Sequence, residues 1–214
     1  MHKVDYTLMY VTDDRIIDDT AFFKVLQDAL KGGASIVQFR EKSCDTRSFY
    51  NRALRAKTLC HRYGVPLLIN DRIDIALAVN ADGVHIGQTD MPYKKARALL
   101  GGTKIIGLSV SNSEQAIEAE NLKVDYIGIS PIFNTATKKT DLAPSLGIEG
   151  LKIIRPLFSK PIVCIGGIDQ KNVADIIKNG ANGVAVISAI SKAEQPEKET
   201  KNLKKIICQT GFIQ

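Results

Sequence analysis

Short apolar, β-prone runs alternate along this chain with longer stretches whose apolar residues recur at helical spacing. Tyr6 to Thr12 is the first run, and Asp13-Asp14-Arg15 breaks it. Phe22, Phe23, Leu26, Ala29 and Leu30 then predict a helix over 20–31 that stops at Gly32-Gly33. A second strand covers 35–40. A long amphipathic helix covers 46–63, with Thr46 as N-cap and Gly64 as the C′ residue. Pro66 to Asn70 is the third strand, followed by a short helix over 73–80. Gly83 to Gly87 is the fourth, and Pro92 opens the helix that runs to Leu100. Lys104 to Val110 precedes a helix from Ser113 to Asn121, capped by Ser113, and Tyr126 to Ser130 is the sixth strand. Residues 131–147 have no periodicity. Helix at 149–156, strand Pro161 to Ile165, helix 170–179, strand 183–188 and a charged helix at 197–208 complete the chain.

Strands and amphipathic helices in this alternation predict a parallel sheet. Eight units are the count of a (β/α)8 TIM barrel, an α/β fold, and with no linker or low-complexity stretch the whole chain, 1–214, reads as one domain. The rival, an open doubly wound sheet, expects a glycine-rich turn after the first strand, where this chain has Asp13-Asp14-Arg15.

Alternation in Ile36-Val37-Gln38-Phe39-Arg40-Glu41-Lys42 puts Val37 and Phe39 against helices, and Ile36, Gln38 and Arg40 towards the barrel interior. An inward arginine is costly unless an anion meets it, so this strand end is suited to a phosphorylated ligand. The other strand ends add Asn70 and Asp71, Asp90, Ser109, Ser130, Gly166-Gly167 and Ile187-Ser188. A barrel collects all of them at one rim. Asp71 and Asp90 follow adjacent strands and suit Mg²⁺ shared with ligand phosphate oxygens; the alternative is that each caps the next helix. Gly166-Gly167 and Ile187-Ser188 stand where barrels bind phosphate, although a tight turn also demands glycine. The aperiodic loop 131–147 holds Thr135, Thr137 and Lys138, whose threonines favour anion contact over a solvated lysine tip. His85 reads as an inward histidine held by polar neighbours rather than as an acid–base group.

Composition changes this picture little. Hydrophobic content of 44% and charged content of 24% are ordinary for a soluble globular protein. A net charge of +6 with dispersed lysines and no tryptophan fits anionic substrates better than nucleic acid. No apolar run suits a membrane span or a secretory signal. Four scattered cysteines without metal-ligand spacing suit reduced thiols in a cytoplasmic protein, with Cys164 in the core. The residues leave the oligomeric state open, with a homo-oligomer allowed.

Taken in order, the motifs resemble thiamine phosphate synthase over nearly the whole chain. They are Tyr-Val-Thr-Asp at 10–13, Gln-Phe-Arg-Glu-Lys at 38–42, Asn-Asp-Arg at 70–72 and Val-His-Ile-Gly-Gln-Thr-Asp at 84–90. Gly-Leu-Ser at 107–109, Pro-Ile-Phe-Asn-Thr-Ala-Thr-Lys-Lys at 131–139, Gly-Ile-Glu-Gly-Leu at 147–151, Ile-Gly-Gly-Ile at 165–168 and Val-Ile-Ser-Ala-Ile at 186–190 follow. Each is weak alone; the ordered set is specific. The resemblance implies a barrel enzyme, a transferase that joins a hydroxymethylpyrimidine pyrophosphate to a thiazole phosphate and releases pyrophosphate. It implies that Gln38, Arg40, Lys42, Asn70, Ser109 and Lys138 hold the pyrimidine pyrophosphate, with Arg40, Lys42 and Lys138 catalytic. Asp71 and Asp90 would hold Mg²⁺, and Thr135, Thr137, Gly167, Ile187 and Ser188 the thiazole phosphate. Ser130 departs from the glycine common in relatives and removes no expected ligand. The family reaction is a dissociative substitution needing no side-chain nucleophile, and closure of the 131–147 loop would exclude water. A related thiazole tautomerase and a non-catalytic barrel that binds thiamine intermediates are the alternatives. A generic phosphosugar barrel enzyme would instead present a Lys, Asp or Glu inside the barrel.

Overall fold

Eight parallel strands pair in chain order, and the eighth returns to the first to close a barrel. This is a computed structural model, and it describes residues 4–134 and 144–211. Strands and helices alternate: β1 (Leu8–Val11), α1 (Asp19–Lys31), β2 (Ile36–Phe39), α2 (Thr46–Arg62), β3 (Leu67–Asn70), α3 (Ile73–Ala78), β4 (Gly83–Ile86) and α4 (Tyr93–Leu100). Then come β5 (Ile105–Val110), α5 (Ser113–Leu122), β6 (Tyr126–Ile129), α6 (Gly147–Ile154), β7 (Ile162–Ile165), α7 (Val173–Lys178), β8 (Gly183–Val186), α8 (Ser188–Ser191) and α9 (Pro196–Gln209). The seam pairs Met9 with Ala185 and Tyr10 with Val186. No helix among the described residues is long and apolar enough to cross a membrane.

Each strand has two buried faces because helices cover the outside and side chains fill the inside. Val37, Phe39, Ile69, Val84, Ile127 and Cys164 pack outward against the helices. Met9, Val11, Ile36, Leu68, Tyr126 and Val163 fill the interior. Phe39 meets Phe22 of α1 and Phe49 of α2 at centroid distances of 5.7 and 5.5 Å. The alternation inferred for the second strand therefore holds. Two interior glycines make room for polar side chains. A Cβ on Gly107 would lie 2.1 Å from the Tyr126 ring, and one on Gly128 would lie 2.9 Å from His85 Cε1.

The ends of several elements differ from the sequence expectation. Asp45, not Thr46, caps α2: its backbone is extended and its carboxylate accepts from Ser48 N at 3.0 Å. Asn112, not Ser113, caps α5 in the same way, accepting from Gln115 N at 2.9 Å. In both cases the expected residue is already helical, so its side chain no longer faces the free N–H groups. Pro92 sits at the N-cap of α4 rather than in its first turn. Gly64, with φ 67°, follows the C-cap Tyr63 as the C′ residue expected. β8 stops at Val186, and Ser188 starts an additional short helix, α8.

Candidate active site

The strand C-termini open at one rim, and the second strand supplies its cations. Gln38 is buried inside the barrel, its amide directed at Met9 Sδ at 3.5 Å. Arg40 follows β2, with its backbone held on both sides by Thr12 Oγ1, at 2.8 Å from N and 3.1 Å from O. Its guanidinium forms an ion pair with Asp14 at 2.8 Å. Lys42 Nζ bonds to the Asp71 carboxylate.

Glu41 lies between these two cations and points the other way, towards α2. Its carboxylate is buried and accepts from Lys42 N, Ser43 N and Ser43 Oγ on one oxygen, and from Arg52 Nη1 at 2.6 Å on the other. Arg52 also donates to Ile16 O at 3.1 Å and lies 4.2 Å over the Phe22 ring. Its Nε is 3.0 Å from Asp19 without hydrogen-bond alignment, so that contact is electrostatic only. This cluster ties the end of β2 to the loop after β1.

Asp71 has a left-handed backbone, φ 62°, with its N–H on His85 O at 2.9 Å. The turn sends its side chain to Lys42 and within hydrogen-bonding reach of Asp90. Burial raises the Asp71 carboxyl above the usual carboxylate range; the Lys42 bond pulls it back, and the Asp90 carboxylate pushes it up again. Asp90 in turn accepts from Gly87 N at 2.6 Å. Neither aspartate caps a helix: the N-cap residues of α3 and α4 are Arg72 and Pro92, without side-chain cap bonds. Among the described residues no group of three or more His, Cys, Asp or Glu side chains is placed to hold a metal ion. A cation at Asp71 and Asp90 would complete its shell with ligand oxygens, as Mg²⁺ commonly does. Two adjoining carboxylates at one point are a donor set that a divalent cation suits.

Inside the barrel His85 bridges two strands. Nδ1 lies 2.7 Å from Tyr126 Oη, and Nε2 lies 2.9 Å from Ser109 Oγ. Burial lowers its pKa to about 4, so the ring is neutral. The neutral ring donates at one of these nitrogens and accepts at the other. Asn70, half-buried at the end of β3, stands beside His85 in register.

Across the barrel, Gly166 and Gly167 have φ of 113° and 62°, so the tight turn is one reason for the pair. A second is close approach. A Cβ on Gly166 would lie 2.9 Å from Pro131 Cβ, and one on Gly167 would lie 2.6 Å from Asn134 O. Ile187 and Ser188, both half-buried, lead from β8 into α8. Asp13 locks that short helix to the loop after β1, accepting from Ser191 Oγ at 2.6 Å and Arg15 Nε at 2.7 Å. Burial would raise the Asp13 carboxyl, but these hydrogen bonds outweigh it and hold the pKa below its ordinary value.

The structure thus gathers Gln38, Arg40, Lys42, Asn70, Asp71, Asp90 and Ser109 on one side, from β2 to β5, and Gly167, Ile187 and Ser188 on the other. Thr135, Thr137, Lys138 and the centre of the loop expected to close lie outside the described residues. The sequence reading gave no role to Asp13, Asp14, Glu41 or Tyr126. The run Asp13-Asp14-Arg15 reads simply as a strand break, yet charges directly after a barrel strand are by position rim groups.

The chain matches the family model described as thiamine monophosphate synthase over residues 8–190. It is 46% identical to the thiamine-phosphate synthase of Clostridium novyi (strain NT), over 95% of this chain and 99% of that one. It is 47% identical to that of Syntrophomonas wolfei, over 96% and 98%. A solved structure of thiamine phosphate pyrophosphorylase from Pyrococcus furiosus superposes with a TM-score of 0.87 at 36% identity, covering 97% of this chain and 98% of that one.

Proposed function

The chain belongs to the thiamine monophosphate synthase family, transferases by activity, and on that premise we propose how its own residues divide the work. The observation that carries the proposal is the contact of Lys42 and Asp90 with Asp71, which joins the ends of β2, β3 and β4. Cations and paired carboxylates at one point fit a pyrophosphate group better than a single phosphate.

In this reading Arg40, Lys42 and Lys138 grip the pyrophosphate of the hydroxymethylpyrimidine substrate, and Gln38, Asn70 and Ser109 orient its ring. Gly167, Ile187 and Ser188, with Thr135 and Thr137, take the thiazole phosphate. The C–O bond to pyrophosphate breaks with its electron pair leaving on oxygen. The pyrimidine methylene is left as a ring-stabilised cation, and the thiazole nitrogen donates its lone pair to form the new C–N bond. Arg40, Lys42 and Lys138 stabilise the negative charge that builds on the leaving group. Asp71 and Asp90 would hold Mg²⁺, which when bound supplies further positive charge to the same oxygens. We place the whole chain in one barrel domain that works in the cytoplasm on small-molecule substrates. The tautomerase has no need for the Lys42–Asp71–Asp90 contact, and a non-catalytic barrel would be favoured by a lost metal ligand, whereas Asp71 and Asp90 are both present.

The test is pyrophosphate release by the purified protein with Mg²⁺, the pyrimidine pyrophosphate and the thiazole phosphate, each omitted in turn. Release that needs all three, with thiamine phosphate identified by mass, is expected. Isomerisation of the thiazole phosphate without pyrophosphate release would overturn the reading.

A further inference from the structure

The pairing of Arg40 with Asp14 is not demanded by the proposed chemistry. Asp14 lies in the loop after β1, and that loop is fixed on every side. Thr12 holds the Arg40 backbone, Asp13 is tied to Arg15 and Ser191, and Arg52 donates to Ile16 O. Asp14 is therefore presented to Arg40 rather than merely near it. The pair is mostly sheltered, with side-chain exposures of 20% for Arg40 and 16% for Asp14, so its attraction is less screened than at an open surface.

A guanidinium fork suits a carboxylate and a phosphate alike, and Nη1 cannot face both along one direction. Asp14 has somewhere to go. It borders a cleft of about 670 Å³ between its own loop and α2, lined also by Asp19, Glu41, Ser43, Arg52 and Arg55.

We propose that Asp14 competes with pyrophosphate for the Arg40 guanidinium and thereby sets the affinity of the site for it. The inference rests on the reading of Arg40 as a pyrophosphate ligand. Its use to the enzyme is in turnover: binding that is equally strong for substrate and product does not speed the chemical step and holds the product back.

The experiment is calorimetric titration of the full chain with inorganic pyrophosphate in Mg²⁺. The proteins compared are wild type, Asp14→Asn, Asp14→Ser, Arg40→Ala and the Asp14→Asn/Arg40→Ala double variant. Both Asp14 variants should bind about ten-fold more tightly, equivalent to ~1.4 kcal/mol. Both should also show stronger product inhibition by pyrophosphate. Arg40→Ala should bind more weakly, and in its background Asp14→Asn should change Kd by less than about two-fold, the sign of a shared term. A purely structural role for Asp14 would not tighten binding. Unchanged or weaker binding in both Asp14 variants, with Arg40→Ala weakened, overturns the inference and leaves the pyrophosphate reading standing. Tightening that persists in full without Arg40 overturns the competition. An Arg40→Ala variant with unchanged affinity overturns both readings.

Discussion

At Asp71 a half-buried carboxylate has one lysine for two acids, since Asp90 adjoins it. Exchange of either aspartate for asparagine keeps the shape and removes the charge. Asp71→Asn and Asp90→Asn should each lower pyrophosphate release by at least ~100-fold, as expected when a group that stabilises leaving-group charge is lost. Circular dichroism and Tm should stay close to wild type, because neither side chain caps a helix. His85 makes a different prediction. The unfolded chain takes up a proton on this residue near its ordinary value of 6.5, the folded protein only near about 4. The unfolded state binds more protons in between, so stability falls as pH drops through that window, by at most ~3 kcal/mol. Urea denaturation at pH 7 and pH 5 should show this loss in wild type and a smaller one in His85→Gln. The inward placement of His85 was legible from strand alternation. Its partner Tyr126, distant in the chain, was not.

Among the elements, the turn from β2 into α2 carries the most charge for its size. Strand alternation sends Arg40 and Lys42 to the rim and Glu41 to the helix side, where Arg52 neutralises it. The turn is thereby held from behind while its two cations face forward. Arg52→Ala would leave Glu41 buried with its backbone and serine donors alone, and should cost about 3 kcal/mol of unfolding free energy by urea titration. Helix caps show where local reading fails. Asp45 and Thr46, or Asn112 and Ser113, are all plausible capping residues by type. The choice between neighbours depends on which one keeps an extended backbone, and packing of the helix on the barrel sets that.

For the molecule as a whole, closure joins the two ends of the chain. Asp13 bonds to Ser191 at 2.6 Å, and Lys204 of α9 bonds to Asp5 at 2.8 Å. The helical ring closes where α1 meets α9, and Gly32 allows the approach: a Cβ there would lie 2.5 Å from both Glu197 O and Thr200 Cβ. The obstacle on one side is backbone, which cannot rotate away. Gly32→Val should therefore part the two helices and lower unfolding free energy by roughly 1–3 kcal/mol, read as a drop in Tm. Gly32 reads in the sequence as a helix stop. Its role as the contact between the first and last helices belongs to the closed ring.

By itself the sequence determined the barrel and its rim. Both follow from periodicities of two and 3.6 residues, which are properties of neighbours in the chain. Once eight strand–helix units are counted, every strand end is assigned to one face, and Gln38, Arg40, Asp71, Asp90 and Ser109 are assigned with it. The tertiary structure alone decided which of these groups touch. Arg40 finds Asp14, Lys42 finds Asp71, Glu41 finds Arg52, and His85 finds both Tyr126 and Ser109. Most of these contacts span adjacent or more distant strands, and a shift of a few ångströms makes or breaks them. Strand register and barrel closure set those distances, and residue spacing along the chain does not encode either.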